Sequence, residues 1–216
     1  MKKIFCMAVS LLMLFVFTAC GSSAGTSGSD KPAAEKKAVS AAPASAAPAE
    51  KQDGGSRILV VYFSCTGNTK ALAEHAAQAL HADLFAIQPE EPYTSSDLNY
   101  NDESTRATVE QKDAGVRPKI KNSVENMAKY DKIVLAYPIW WGQAPRIMDT
   151  FVESYDFSGK TMTAICTSGG SELGSSDAAL AELAGKSAKW KEGRQFTAGT
   201  SAEELGKWFK QIGLLE

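Results

Sequence analysis

An unbroken apolar run, Ile58-Leu59-Val60-Val61-Tyr62-Phe63, passes directly into Ser64-Cys65-Thr66-Gly67-Asn68-Thr69, after which an Ala- and Leu-rich pattern begins. Such a run, bounded by turn residues, is the pattern of a strand buried on both faces. Leu72, Ala76 and Leu80 then recur at helical spacing, so the unit reads strand, loop, helix. Backbone N–H groups at a helix start lack intrahelical partners and carry the positive end of the helix dipole. They favour an anion without help from Lys or Arg. The hydroxyls of Ser64, Thr66 and Thr69, with amides near Gly67 and Asn68, make this loop a candidate cradle for a terminal phosphate, and Cys65 contributes its amide.

The alternation continues along the chain. Strands are expected at 57–63, 82–87, 132–137, 160–166 and 190–197, and helices at 70–80, 118–130, 146–155, 177–183 and 201–212. Pro89 and Pro138 close the second and third strands, Pro118 and Pro145 stand at helix starts, and Ser201 with Glu204 three residues on forms a capping box. The polar stretch 90–117, with Pro92, Tyr93 and Tyr100, reads as a long surface excursion. Alternating strands and helices, with several strands apolar throughout, predict an α/β fold: a doubly wound five-stranded parallel sheet, order 2-1-3-4-5, with helices on both faces. In such sheets ligands sit beyond the carboxyl ends of the strands, where the strand order reverses. That end collects three loops: 64–69, Pro138-Ile139-Trp140-Trp141-Gly142-Gln143-Ala144-Pro145, and Thr167-Ser168-Gly169-Gly170-Ser171-Glu172-Leu173-Gly174. A phosphate cradle, an aromatic wall and a Gly-rich backbone strip together suit a planar, phosphorylated cofactor.

On these residues the chain resembles the flavodoxin-like family, in particular its exported or short relatives, from Arg57 to the C-terminus. Residues 64–69 match the family's (S/T)-x-T-G-N-T phosphate loop position by position. Trp140-Trp141-Gly142, preceded by Pro138 and Ile139, and Ser168-Gly169-Gly170-Ser171, preceded by Thr167, fall where the family's isoalloxazine loops fall. The resemblance implies FMN as cofactor and one- or two-electron transfer. It places one of Trp140 and Trp141 on the flavin face while the other packs. Gly142, free to take either sign of φ, could let a peptide rotate toward the reduced ring. Amides near residues 168–171 would face the pyrimidine edge, and Tyr93 could reach the site from the excursion.

The N-terminus carries a different signal. Lys2 and Lys3 precede an apolar stretch from Ile4 to Phe17, followed by Thr18-Ala19-Cys20-Gly21, the layout of an export signal. At about 14 residues the stretch is shorter than the roughly 20 a spanning helix needs. The small residues, Cys20 and Gly21 resemble a bacterial lipobox, departing from it at Phe17 where Leu is usual. The resemblance implies a lipoprotein signal peptide at 1–19 and a lipid on Cys20 that anchors the chain to a bacterial cell membrane or outer membrane, facing the extracytoplasmic side. Residues 20–56, rich in Ser, Gly, Ala and Pro, read as a disordered linker reaching about 30–36 Å. Residues 57–216 suit one domain with a sizeable core.

Composition narrows the chemistry. From Arg57 onward there are 17 Lys and Arg against 21 Asp and Glu, and no basic, aromatic-studded strip points to nucleic acid. His75 and His81, six apart, do not share a helix face as a metal pair would. In the expected strand order Cys65 and Cys166 lie about 10 Å apart, beyond disulfide reach. The nucleotide-binding pattern G-x-x-x-x-G-K-(S/T) is absent. A C-x5-R phosphatase loop would need Arg where Ala71 stands, and a receiver domain would need acidic residues after the first strand. No acid–base or nucleophile constellation is apparent, so no catalytic side chain is assigned. The expectation is a membrane-tethered FMN protein that passes electrons to a redox partner protein, or reduces a small planar acceptor such as a quinone, outside the cytoplasm. Two alternatives stay open. An NAD(P)H-dependent quinone or nitro-compound reductase would show steady-state NAD(P)H oxidation, and a flavin-free binding or scaffolding module would take up no FMN.

Overall fold

The computed structural model describes residues 57–215. The expected signal peptide, lipidated Cys20 and linker lie outside the described residues. Among the described residues no helix is long and apolar enough to cross a membrane.

The chain runs β1 (Ile58–Tyr62), α1 (Asn68–Leu80), β2 (Asp83–Ala86), α2 (Arg106–Lys112), β3 (Lys132–Pro138), α3 (Arg146–Glu153), β4 (Thr161–Thr167), α4 (Ser176–Ala184), β5 (Lys189–Trp190), β6 (Arg194–Gln195) and α5 (Ala202–Gln211). All pairings among these strands are parallel and the order is β2-β1-β3-β4-β5, as expected. The apolar strands are buried on both sides because their alternate residues feed two cores. Leu59, Val61, Ile133 and Leu135 pack with Ile147, Met148, Phe151 and Leu180 of α3 and α4. Val60, Val134, Ala136 and Ile165 pack with Leu72, Ala76, Leu205 and Phe209 of α1 and α5. Each such aliphatic side chain contributes about 1.5–3 kcal/mol when fully buried. The last helix begins as read, with the Ser201 hydroxyl accepting from the Glu204 amide at 3.2 Å.

Three expectations need correction. The helix at 118–130 does not form, and only a short 3₁₀ turn, Met127–Lys129, is helical there. Ile120 instead bridges Pro89 in antiparallel fashion. The Lys121 amide donates to the Gln88 carbonyl at 2.8 Å, and the Glu90 amide to the Lys119 carbonyl at 2.9 Å. Asn122 completes the edge, its amide group donating to Ala86 O and its side-chain oxygen accepting from Gln88 N. A short polar side chain that satisfies neighbouring backbone competes with helix, and here tertiary pairing wins.

The fifth strand, expected at 190–197, is two short pieces. Met162 pairs with Trp190 and Ile165 with Arg194. The edge therefore advances one residue more than β4 between those pairs, a bulge centred on Lys191, Glu192 and Gly193. The Thr163 hydroxyl holds the bulge by donating to the Glu192 carbonyl at 2.8 Å.

The excursion 90–117 is not featureless either. It holds a 3₁₀ turn, Ser96–Leu98, and α2, and it packs inward. Tyr93 meets Phe63 and Trp140 edge-on, at centroid distances of 5.6 and 5.2 Å. Its hydroxyl donates to Glu110, which also binds the Arg106 guanidinium at 2.7 Å.

Candidate functional site

The three loops meet as the topology requires. β1 and β3 are neighbours in register, Tyr62 beside Ala136, and β4 follows, Pro138 beside Thr167. Beyond these strand ends lies an open cavity of about 450 Å³, within the size range of small-ligand sites. Its wall takes Cys65, Thr66, Asn68 and Thr69 from the first loop, Pro138, Ile139 and Trp140 from the second, and Thr167, Ser168 and Gly169 from the third.

The first loop is shaped by its glycine. Gly67 sits at φ +90° as the N-cap of α1, a conformation that L side chains rarely adopt. Its amide donates to the Ser64 hydroxyl at 3.2 Å and its carbonyl accepts from Ala71. The next amides, from Asn68 on, begin the helix and lack intrahelical acceptors. Thr69 is 1 % exposed, and its hydroxyl lies 2.7 Å from that of Thr167.

The second loop separates the two tryptophans. Trp140 and Gln143 exchange backbone hydrogen bonds at 2.9 and 3.0 Å around Trp141 (φ +50°) and Gly142 (φ +76°). This two-residue turn with both φ values positive is of type I′. Trp140 is buried against Phe63 and Tyr93 while still lining the cavity. Trp141 is 52 % exposed and lies outside the lining. Its indole N–H donates to the Thr108 hydroxyl at 3.1 Å, and its ring meets Tyr100 edge-on at 5.7 Å. Behind the turn, the buried Gln111 side chain donates to the carbonyls of Trp140 and Ala144.

The third loop is tied by Ser168, whose hydroxyl accepts from the amides of Gly170 and Ser171 and lies 2.8 Å from the Ser171 hydroxyl. Those two amides are thus engaged within the loop. Gly170, Ser171 and Gly142 stand outside the cavity lining, as do Ser64 and Gly67, which border an adjoining cleft with Lys70 and Lys121. Tyr93 lies behind Trp140 rather than in the wall.

Five lining residues escaped sequence reading: Leu98, Tyr100, Phe196, Thr197 and Ala198. The first pair comes from the excursion and the others follow β6. Tyr100 carried the only legible signal, an aromatic in an otherwise polar stretch. Burial, with a smaller contribution from Cys65, pushes its phenol up to about 12, so it stays neutral and can donate. No residue in the lining carries a charged side chain. Among the described residues the two thiols, Cys65 and Cys166, are free; burial, aided by Asp177, pushes that of Cys166 up to about 12 and keeps it protonated within β4.

A doubly wound parallel sheet with its cleft at the β1, β3 and β4 carboxyl ends defines the class of α/β proteins that take ligands at the topological switch point. The flavodoxin family model matches residues 57–212. A Bacteroides eggerthii protein provisionally assigned as a flavoprotein is 41 % identical, covering 75 % of this chain and 100 % of its own, with a TM-score of 0.70. A second such protein, from Bacteroides uniformis, is 38 % identical over 72 % of this chain and 99 % of its own, at 0.67. A Lactobacillus acidophilus flavoprotein solved in complex with FMN shares the fold at 19 % identity and a TM-score of 0.54, over 71 % of this chain and 99 % of its own. No curated protein matches. The chain belongs to the flavodoxin family.

Proposed function

We propose that this protein binds FMN in the cavity at the β1, β3 and β4 ends and uses it to carry electrons. The observation that carries this reading is the pairing of an uncharged cavity with the open helix start behind Gly67. A phosphate monoester there would be held by the amides from Asn68 on and the hydroxyls of Thr66 and Thr69, with no cation needed. The donor set therefore fits the group. Pro138, Ile139 and Trp140 would flank the planar ring and Ser168 and Gly169 its polar edge, while Thr167 stands beside Thr69 of the first loop. When bound, FMN supplies one- or two-electron chemistry, while the protein sets orientation and access.

The acceptor and the location complete the proposal. Tyr100 on the rim, with Trp141 against it, presents exposed aromatic surface beside the cavity. Such surface suits a small planar acceptor of the quinone class at least as well as a redox partner protein. The N-terminal resemblance to an export signal ending in a lipobox at Cys20 supports a lipid anchor facing away from the cytoplasm. An FMN titration followed by absorbance, then stepwise reduction with and without a soluble quinone, tests the reading. One FMN per chain and reoxidation by quinone are expected. A colourless protein that takes up no FMN overturns it.

A further inference from the structure

We infer that Thr167 is a positioning residue that makes the site prefer a phosphorylated flavin, acting through the hydroxyl of Thr69. The inference rests on the FMN reading above. Thr69 stands in the first turn of α1 and Thr167 ends β4, far apart in sequence, yet their Oγ1 atoms are 2.7 Å apart. Both residues line the cavity, and both are nearly inaccessible, at 1 % and 7 % exposure.

Proton counting does the rest. Each hydroxyl has one proton and two lone pairs. The bond between them uses one proton, so the accepting hydroxyl keeps its own for a third group. Two orientations follow. If Thr167 donates, the Thr69 proton is free at the start of α1; if Thr69 donates, the Thr167 proton is free at the end of β4. A phosphate dianion at the helix start selects the first, because both protons then point toward its charge and each bond polarises the next. The rest of Thr167 is already fixed: its carbonyl accepts from the Ile139 amide at 2.8 Å and its backbone is in register with Pro138. A flavin without a phosphate makes no such demand on the pair. Thr167 therefore contributes to affinity only when there is a phosphate for Thr69 to bind.

The test compares FMN with riboflavin on the full chain, by fluorescence titration. Thr167→Val keeps the shape and deletes the donor. Loss of one supporting hydrogen bond is expected to raise the FMN Kd about threefold to tenfold, with riboflavin changed by less than about twofold. Thr167→Ser, which restores a hydroxyl, is expected to restore FMN affinity. Riboflavin affinity also shows that the Val variant is folded. An unchanged FMN Kd, equal weakening of both flavins, or failure of Ser to rescue overturns the inference and leaves FMN binding standing. A wild-type chain that binds neither flavin overturns the FMN reading and this inference with it.

Discussion

Gly67→Ala isolates what the first loop contributes. Gly67 holds φ +90°, and a Cβ built there meets nothing within 4 Å. The whole penalty is therefore backbone strain, about 1–2 kcal/mol for an L side chain in left-handed space. Two responses are open to the variant. If the loop keeps its shape, the strain appears as lost stability, roughly 2–8 °C in Tm for a domain of this size. If the loop relaxes to negative φ, stability recovers but the helix-start amides turn away from the phosphate position. The same free energy then appears as an FMN Kd raised about fivefold to thirtyfold. Urea unfolding of the flavin-free protein and FMN titration, done on one preparation, should together account for about 1–2 kcal/mol. Gly199→Ala is the control, since its φ is ordinary and its surroundings are open; it should be neutral or slightly stabilising. If Gly67→Ala moves neither quantity, the geometric account of the cradle is wrong.

Two further outcomes follow from other parts of the domain. Burial alone would raise the Asp83 carboxyl, but the Tyr130 hydroxyl, Lys129 and Arg57 more than offset it and hold its pKa below the ordinary value. A carboxylate lowered in the folded state adds stability above its unfolded pKa of roughly 4 and loses it as pH falls through the folded value. Asp83→Asn should accordingly flatten the fall of the urea midpoint with pH below about 4; an unchanged acid limb would reject the assignment. Gly193→Ala should destabilise by about 1–3 kcal/mol, because its Cβ would lie 3.0 Å from the Ala164 carbonyl and 2.8 Å from Leu173. A wild-type urea midpoint would mean that the bulge gives way freely.

How far the chain could be read in advance depends on where each element gets its stability. β1, β3 and β4 are apolar on both faces, so their sequences alone announce burial and, with the intervening helices, the parallel sheet. α2 made no such announcement. Its buried positions are Ala107, Thr108, Glu110 and Gln111, mostly polar, so no apolar stripe marks it. Its burial comes from bonds to distant chain: Gln111 to the Trp140 and Ala144 carbonyls, Thr108 to Trp141, and Glu110 to Tyr93. The failed helix at 118–130 is the converse case. Its composition permits a helix, but the open hydrogen-bonding groups beyond β2 offer Ile120, Lys121 and Asn122 better partners.

The site divides along the same line. The geometry set by local rules was legible: hydroxyls, a left-handed glycine and a helix start fall in the one short stretch 64–69. Residues set by the wall were not, since Leu98, Tyr100, Phe196, Thr197 and Ala198 reach the cavity only after the excursion and the β6 edge have folded over it. The tryptophans show both effects in adjacent positions. The type I′ turn puts consecutive side chains on different sides, so Trp140 goes into the core beside the cavity and Trp141 goes out to Tyr100 and Thr108. A left-handed Trp141 is strained where Gly or Asn would not be. What holds it is α2, through Thr108. The least legible helix of the domain therefore sets the exposed aromatic rim beside the cavity.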